Sequence, residues 1–148
     1  MSLFDKLSSA RQQSQTTLGP AEAFAAIALI AVAADGYADD AEEKALMTAL
    51  SRMQLFRSYP ADVVEKMIDR LLSILQRKGA DTLLGVAIGA LPHELQETVF
   101  AVTADIVLAD GEVTEEEEEF LNQLYRALEI PEENALKIIE VMLIKNRG

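Results

Sequence analysis

The chain has 148 residues, half of them hydrophobic but only 5% aromatic, with no cysteine and a net charge of −12. That length suits one domain around one core, and a core of Ala, Leu, Ile, Val and Met favours helices. Without thiols there is no disulfide, thiolate zinc site or thiol catalysis, and the acidity opposes binding to nucleic acid or to an anionic membrane.

In chain order, MSLFDKL carries a short amphipathic start at Leu3, Phe4 and Leu7 without a signal-peptide core. The polar stretch SSARQQSQTT follows and reads as a tether. Residues 1–19 are therefore expected to be a start and tether, and residues 20–148 a single all-α domain. The run from Ala23 to Ala34 is 12 apolar residues long, which suits a buried core helix and is too short to span a bilayer. Capping residues and first-turn prolines then predict seven main helices. They lie near Pro20 to Ala34, Asp39 to Met53, Pro60 to Arg77, Ala80 to Ala90, Pro92 to Ala109, Thr114 to Leu128 and Pro131 to Lys145. Strand signals are absent. Short loops predict that sequential neighbours pack as antiparallel hairpins.

One outline occurs twice. AADGYADDAEEKAL, from Ala33 to Leu46, and the stretch ending in VLADGEVTEEEEEF, from Val107 to Phe120, align at an offset of 75. The alignment pairs Asp35 with Asp110, Gly36 with Gly111 and Glu42 with Glu117, and predicts two related hairpins about a pseudo-twofold axis. Local capping accounts for much of each copy. The glycines can end a helix in the left-handed conformation, Asp39 and Thr114 are good N-caps, and Glu42 and Glu117 stand three residues later as capping-box partners. Between Lys78 and Arg126 there is no Lys or Arg but eleven acids, five of them in the run Glu115 to Glu119. At a helix amino terminus such a run is favoured by the macrodipole and reads as a solvated face.

Asp35 and Asp110 are different. An aspartate at a helix carboxyl end opposes the macrodipole at a cost of ~0.3 to 1 kcal/mol. Glu117 is in phase with Leu121, Leu124 and Leu128, and Glu42 with Leu46, Ala49 and Met53, so both head inward stripes. Two carboxylates at about 5 Å repel by roughly 3 kcal/mol at an effective dielectric near 20, and a cation, a proton or amide donors must compensate. Two readings stand at this point. In one, Asp35, Glu42, Asp110 and Glu117 hold a divalent metal (calcium, magnesium or manganese); in the other, the aspartates accept bonds from turn amides.

The match to a calcium loop is partial. Asp110, Gly111, Val113 and Glu117 fit positions five, six, eight and twelve, but Ile106 and Leu108, or Ala31 and Ala33 in the other copy, fall at positions one and three, so an autonomous EF-hand is excluded. Asp105, whose counterpart is Ile30, reads as a third ligand or an exposed acid. His93 reads as a surface or capping residue. No phosphate loop, zinc spacing or hydrolase triad is present in the sequence, which points away from an enzyme.

The opening MSLFDKL, the helix ends IAVAADG and IVLADG and the acidic helices after them resemble the TerB family of tellurite-resistance proteins over the whole chain. The resemblance implies a seven-helix fold, a cytoplasmic location and a cluster of acids that binds metal, here Asp35, Glu42, Asp110 and Glu117. It also implies association with other tellurium-resistance proteins, including a membrane component that would hold the protein at the membrane without insertion. Tellurite itself is an oxyanion that the acidic segment would repel. The competing expectation is a metal-free adaptor whose acidic face docks a basic protein partner; a mimic of nucleic acid rests on charge alone.

Overall fold

The computed structural model describes residues 17–34, 40–109 and 113–147, the side chains of residues 40–42 excepted. The expectations for the amphipathic start and most of the tether fall outside the described residues. Seven α-helices form among the described residues, with no strand: α1 (Pro20–Val32), α2 (Asp40–Ser51), α3 (Ala61–Lys78), α4 (Ala80–Ala90), α5 (Gln96–Leu108), α6 (Glu115–Ala127) and α7 (Glu132–Lys145). Short 3₁₀ turns at Gln54–Phe56 and His93–Leu95 lead into α3 and α5.

The apolar run decides the architecture. A helix that is hydrophobic all round has no face to give to water, and α1 is buried at Ala21 and at every residue from Ala23 to Val32. It forms the axis of the domain. The outer helices bury one stripe each: Val64, Ile68, Leu71 and Ile74 of α3, and Phe120, Leu121 and Leu124 of α6. The four stripe residues of α3 follow the i, i+4, i+7, i+10 spacing of one helix face. Edge-to-face ring pairs, Phe24 with Phe56 and Phe100 with Tyr125, stiffen two corners of the core.

The expected run of sequential hairpins holds only in part. α1 packs mainly on α4 and α5, less on α2, because a central helix must be wrapped from several sides. α5 and α7 also pack more closely than α6 and α7. The repeated outlines sit in unlike surroundings. α1 is enclosed, whereas α5 keeps an open side with Asp105 where α1 has Ile30, and no twofold axis is established.

Breaks between helices have local causes. Gly79 has φ +87° and separates α3 from α4, a conformation that a Cβ disfavours; its N–H donates to the Leu75 carbonyl at 2.9 Å. Pro60 and Pro131 precede α3 and α7, where a missing N–H costs no bond, and their carbonyls accept from the first-turn amides at 3.0 to 3.1 Å. At the head of α1 the Glu22 carboxylate accepts from the Gly19 N–H at 3.3 Å and pairs with Arg70 of α3.

Candidate functional site

The second acidic outline opens α6. The Thr114 hydroxyl accepts from the Glu117 N–H at 3.1 Å, and the Glu117 carboxylate accepts from the Thr114 N–H at 3.0 Å. The expected capping box is present. It occupies Oε1 of Glu117, and an ionised carboxylate has about four acceptor positions, so the box does not exhaust the group. Glu117 is half-buried above Leu121, Leu124 and Leu128, as its phase in the helix predicts.

The first outline begins at the end of α1. The Ala33 N–H still bonds the Leu29 carbonyl at 3.0 Å, while the Ala34 N–H has shifted to Ala31 at 3.3 Å, so the last turn tightens just before Asp35. Asp35, Gly36, Asp39, Asp110 and Gly111 lie outside the described residues, as does the Glu42 side chain.

The start of the first outline lies close to the helix that closes the second. Ala33 and Ala34 share a cavity of about 310 Å³ with Glu116, Glu119, Phe120 and Gln123 of α6 and Asp81 of α4. The four α6 residues follow i, i+3, i+4, i+7 spacing and form one face of that helix. The amino ends of α4 and α6 and the carboxyl end of α1 thus meet at one end of the domain, ringed by carboxylates. Among the described residues, no three His, Asp or Glu groups stand close enough together to hold an ion.

A second concavity lies on the other flank of α6. A groove of about 370 Å³ runs between α5, α6 and α7, floored by Phe100, Leu108, Leu121 and Ala135. Its charged lining residues are Glu118 and Glu132.

The comparison that decides the family is a match over residues 21–139 to the model described as tellurite resistance protein TerB. The chain belongs to the TerB family. No curated protein and no solved structure matches it. In this TerB domain the EF-hand alternative fails structurally as well, since Ile106 and Leu108 are still in helix α5 when a calcium loop would already need an open turn with side-chain oxygens.

Asp105 of the TerB domain is a half-buried acid that ties two helices together. Its Oδ1 accepts from Lys145 Nζ at 3.1 Å and from Asn146 Nδ2 at 2.8 Å, and Asn146 also donates to the Met142 carbonyl at 3.0 Å. These bonds fasten α5 to the end of α7. His93 is exposed in its 3₁₀ turn, as expected of a surface residue. Among the described residues no helix is long and apolar enough to cross a membrane.

Sequence reasoning missed Asp81 as a neighbour of the acidic end. Its only local signal was its place in the first turn of a helix after Gly79; the packing of α4 on α1 brings it there. The charge run Glu115 to Glu119 masks a shared face, which the spacing of Glu116 and Glu119 with Phe120 and Gln123 marks.

Proposed function

We propose that this TerB domain is a non-enzymatic, cytoplasmic binding module whose two acidic turns together take up one divalent cation, calcium, magnesium or manganese. Asp35 and Asp110 at the helix ends and Glu42 and Glu117 heading the next helices supply the carboxylates, with turn carbonyls and water completing the shell. Ion binding then neutralises the acidic end for assembly with other tellurium-resistance proteins, one of them a membrane component that keeps the domain peripheral. Residues 20–148 act as one domain and residues 1–19 as its start and tether. A role in tellurite resistance is indirect, since the oxyanion is repelled by the acids that attract the cation.

The observation that carries this reading is the shared cavity, in which the residues preceding Asp35 face the helix that follows Asp110. Pooled ligation from both turns requires that proximity. The donor chemistry agrees: the chain has no thiol and a single histidine, so its ligands are hard oxygens suited to these three ions.

A metal-free adaptor is the second reading, favoured by the capping box, because Glu117 already has an amide partner. Thermal melts of the wild type and of a double variant, Asp35→Asn with Asp110→Asn, decide between them at fixed ionic strength. If the acids hold an ion, the chelated variant gains ~1 to 2 kcal/mol from relieved repulsion and dipole conflict. It also loses the metal response, which in the wild type reaches about 2.7 kcal/mol at a hundredfold excess over Kd. A destabilised variant beside a wild type that ignores all three metals ends the ion reading.

A further inference from the structure

The groove between α5, α6 and α7 has a composition that neither acidic turn explains. Its floor is apolar, and the apolar surface continues out of it along α7. Leu136, Ile139 and Leu143 follow i, i+3, i+7 spacing and share one face of that helix. Leu136 is 57% and Leu143 47% exposed, and Ile144 beside them is 62% exposed. An uncovered apolar stripe continuous with a concavity marks an interaction surface rather than a scatter of single residues. The two banks are acidic, Glu118 on α6 and Glu132 on α7. The nearby cations are engaged: Lys137 pairs with Glu133 at 3.5 Å, and the Arg126 guanidinium lies 5.7 Å from the centre of the Tyr125 ring.

We infer that this groove docks a basic amphipathic helix of a partner protein. The floor takes apolar anchors spaced i, i+3 or i+4 and i+7, the spacing by which helices seat in grooves, and Glu118 and Glu132 meet Lys or Arg on the two shoulders of that helix. The size is adequate: a ~150 Å³ cavity accepts one benzene, so about 370 Å³ accommodates roughly two large side chains. Charge excludes the other obvious occupants. A second copy would bring Glu118 and Glu132 against an equally acidic chain of net charge −12, and an anionic lipid surface would be repelled by the same banks. The inference deepens the assembly reading above by naming the surface and the chemistry of the partner, and it does not depend on the ion.

The test uses the full chain and a labelled synthetic 16-residue peptide of Leu and Lys with Leu at helical spacing, followed by fluorescence anisotropy. A scrambled peptide of the same composition is the control. The amphipathic peptide binds and the scrambled one does not. Leu136→Lys weakens binding about tenfold or more, the size of a lost anchor, and Glu118→Gln with Glu132→Gln weakens it and flattens its salt dependence. All three positions are exposed, so the variants fold, which matched melts verify. Equal binding of both peptides, or binding indifferent to these variants, overturns the inference. So does self-association of the wild type that Leu136→Lys abolishes, because the occupant is then a second copy. The sequence MSLFDKL carries its own amphipathic face at Leu3, Phe4 and Leu7; peptide binding that appears only after these three are all changed to Glu assigns the groove to the chain's own start and also overturns it. Titrations run in chelator and in calcium separate this outcome from the ion reading: a protein that binds peptide equally in both but shows no metal-dependent melt has lost the ion and kept the groove.

Discussion

Glu117 is the residue on which capping and the proposed ion binding make different demands, and substituting it separates them. Its carboxylate accepts from Thr114 N–H at 3.0 Å, and its own N–H donates to Thr114 Oγ1 at 3.1 Å. Glu117→Gln keeps a carbonyl oxygen for the first bond and leaves the second intact, since glutamine serves in a capping box as glutamate does. It gives up a favourable macrodipole term of ~0.3 to 1 kcal/mol, offset by weaker repulsion from the adjacent glutamates. The metal-free variant should therefore stay within about 0.5 kcal/mol of wild type, or about 2 °C for a domain of this size. Glu117→Ala breaks the bond to a half-buried amide and loses the charge, at about 1.5 kcal/mol and about 5 °C. Thr114→Ala loses the other half of the box at about 1 kcal/mol.

The assay is a set of melts by circular dichroism at fixed ionic strength, in chelator and in millimolar calcium, magnesium or manganese. Wild type should gain about 2.7 kcal/mol, or about 8 °C, at a hundredfold excess over Kd, and Glu117→Gln less than half of that. If Glu117→Gln matches wild type in every metal, Glu117 is no ligand. If in chelator it falls as far as Glu117→Ala, the capping box is not what holds the head of α6.

Four further substitutions probe the frame that carries the site. Thr103 is fully buried with a hydroxyl that has no hydrogen-bond partner among the described residues, so Thr103→Val, nearly the same shape without the orphaned group, should raise stability by about 1 kcal/mol in urea unfolding; a loss would reveal a bond to that hydroxyl. Glu129 holds φ +60° between α6 and α7, a conformation that costs a side chain ~1 to 2 kcal/mol and glycine almost nothing. After the added chain entropy of glycine, Glu129→Gly should gain about 0.5 to 1 kcal/mol, and a lower melting temperature would contradict the strain. Ile30 and Asp105 are the unequal members of the repeat: Ile30→Asp buries an unpaired carboxylate and should cost more than ~3 kcal/mol, whereas Asp105→Ile loses only bonds to Lys145 and Asn146, at about 1 kcal/mol. Similar costs for the two would mean that α1 and α5 have equivalent surroundings.

Much of the fold was legible because it follows from local patterns. The uninterrupted apolar run could only become an enclosed helix, and T-x-x-E before an apolar stripe announced the capping box at Thr114 and Glu117. The boundaries that slipped did so where a short 3₁₀ turn competes with a regular helix. The predicted helix from Pro92 begins instead as the turn His93–Leu95, and the one ending at Met53 stops at Ser51 before a turn that buries Phe56. Which helices wrap α1 was not legible, because an all-round apolar surface prefers no neighbour. The same holds for the arrival of Asp81 beside Glu116 and Glu119, and for the bonds from Asp105 to Lys145 and Asn146. Each joins residues far apart in sequence, and nothing in their local spacing encodes the meeting.

Electrostatics at the acidic end bears on the proposal of a cation there. The amino ends of α4 and α6 each present about half a positive charge and the carboxyl end of α1 about half a negative one, so the backbone offers roughly +0.5 in all. Against it stand Asp81, Glu116 and Glu119 around one cavity. Helix dipoles therefore offset only a minor part of three carboxylates, and the remainder must be met by solvent, a cation or a basic surface. A divalent ion held by the neighbouring turns, as proposed, would cancel two charges at once. A basic helix in the groove cancels none of these, because α6 turns Glu116 and Glu119 toward the cavity and Glu118 toward the groove. The two proposed sites thus draw on different faces of one helix. Neutralising Glu118 should leave the metal-dependent melt unchanged, and neutralising Glu116 with Glu119 should leave peptide binding at moderate salt nearly unchanged, since at ~0.15 M ionic strength screening acts within about 8 Å. A variant on one face that alters the readout of the other would show that the acids of α6 act as one undivided patch, and would remove the grounds for treating the turns and the groove as separate sites.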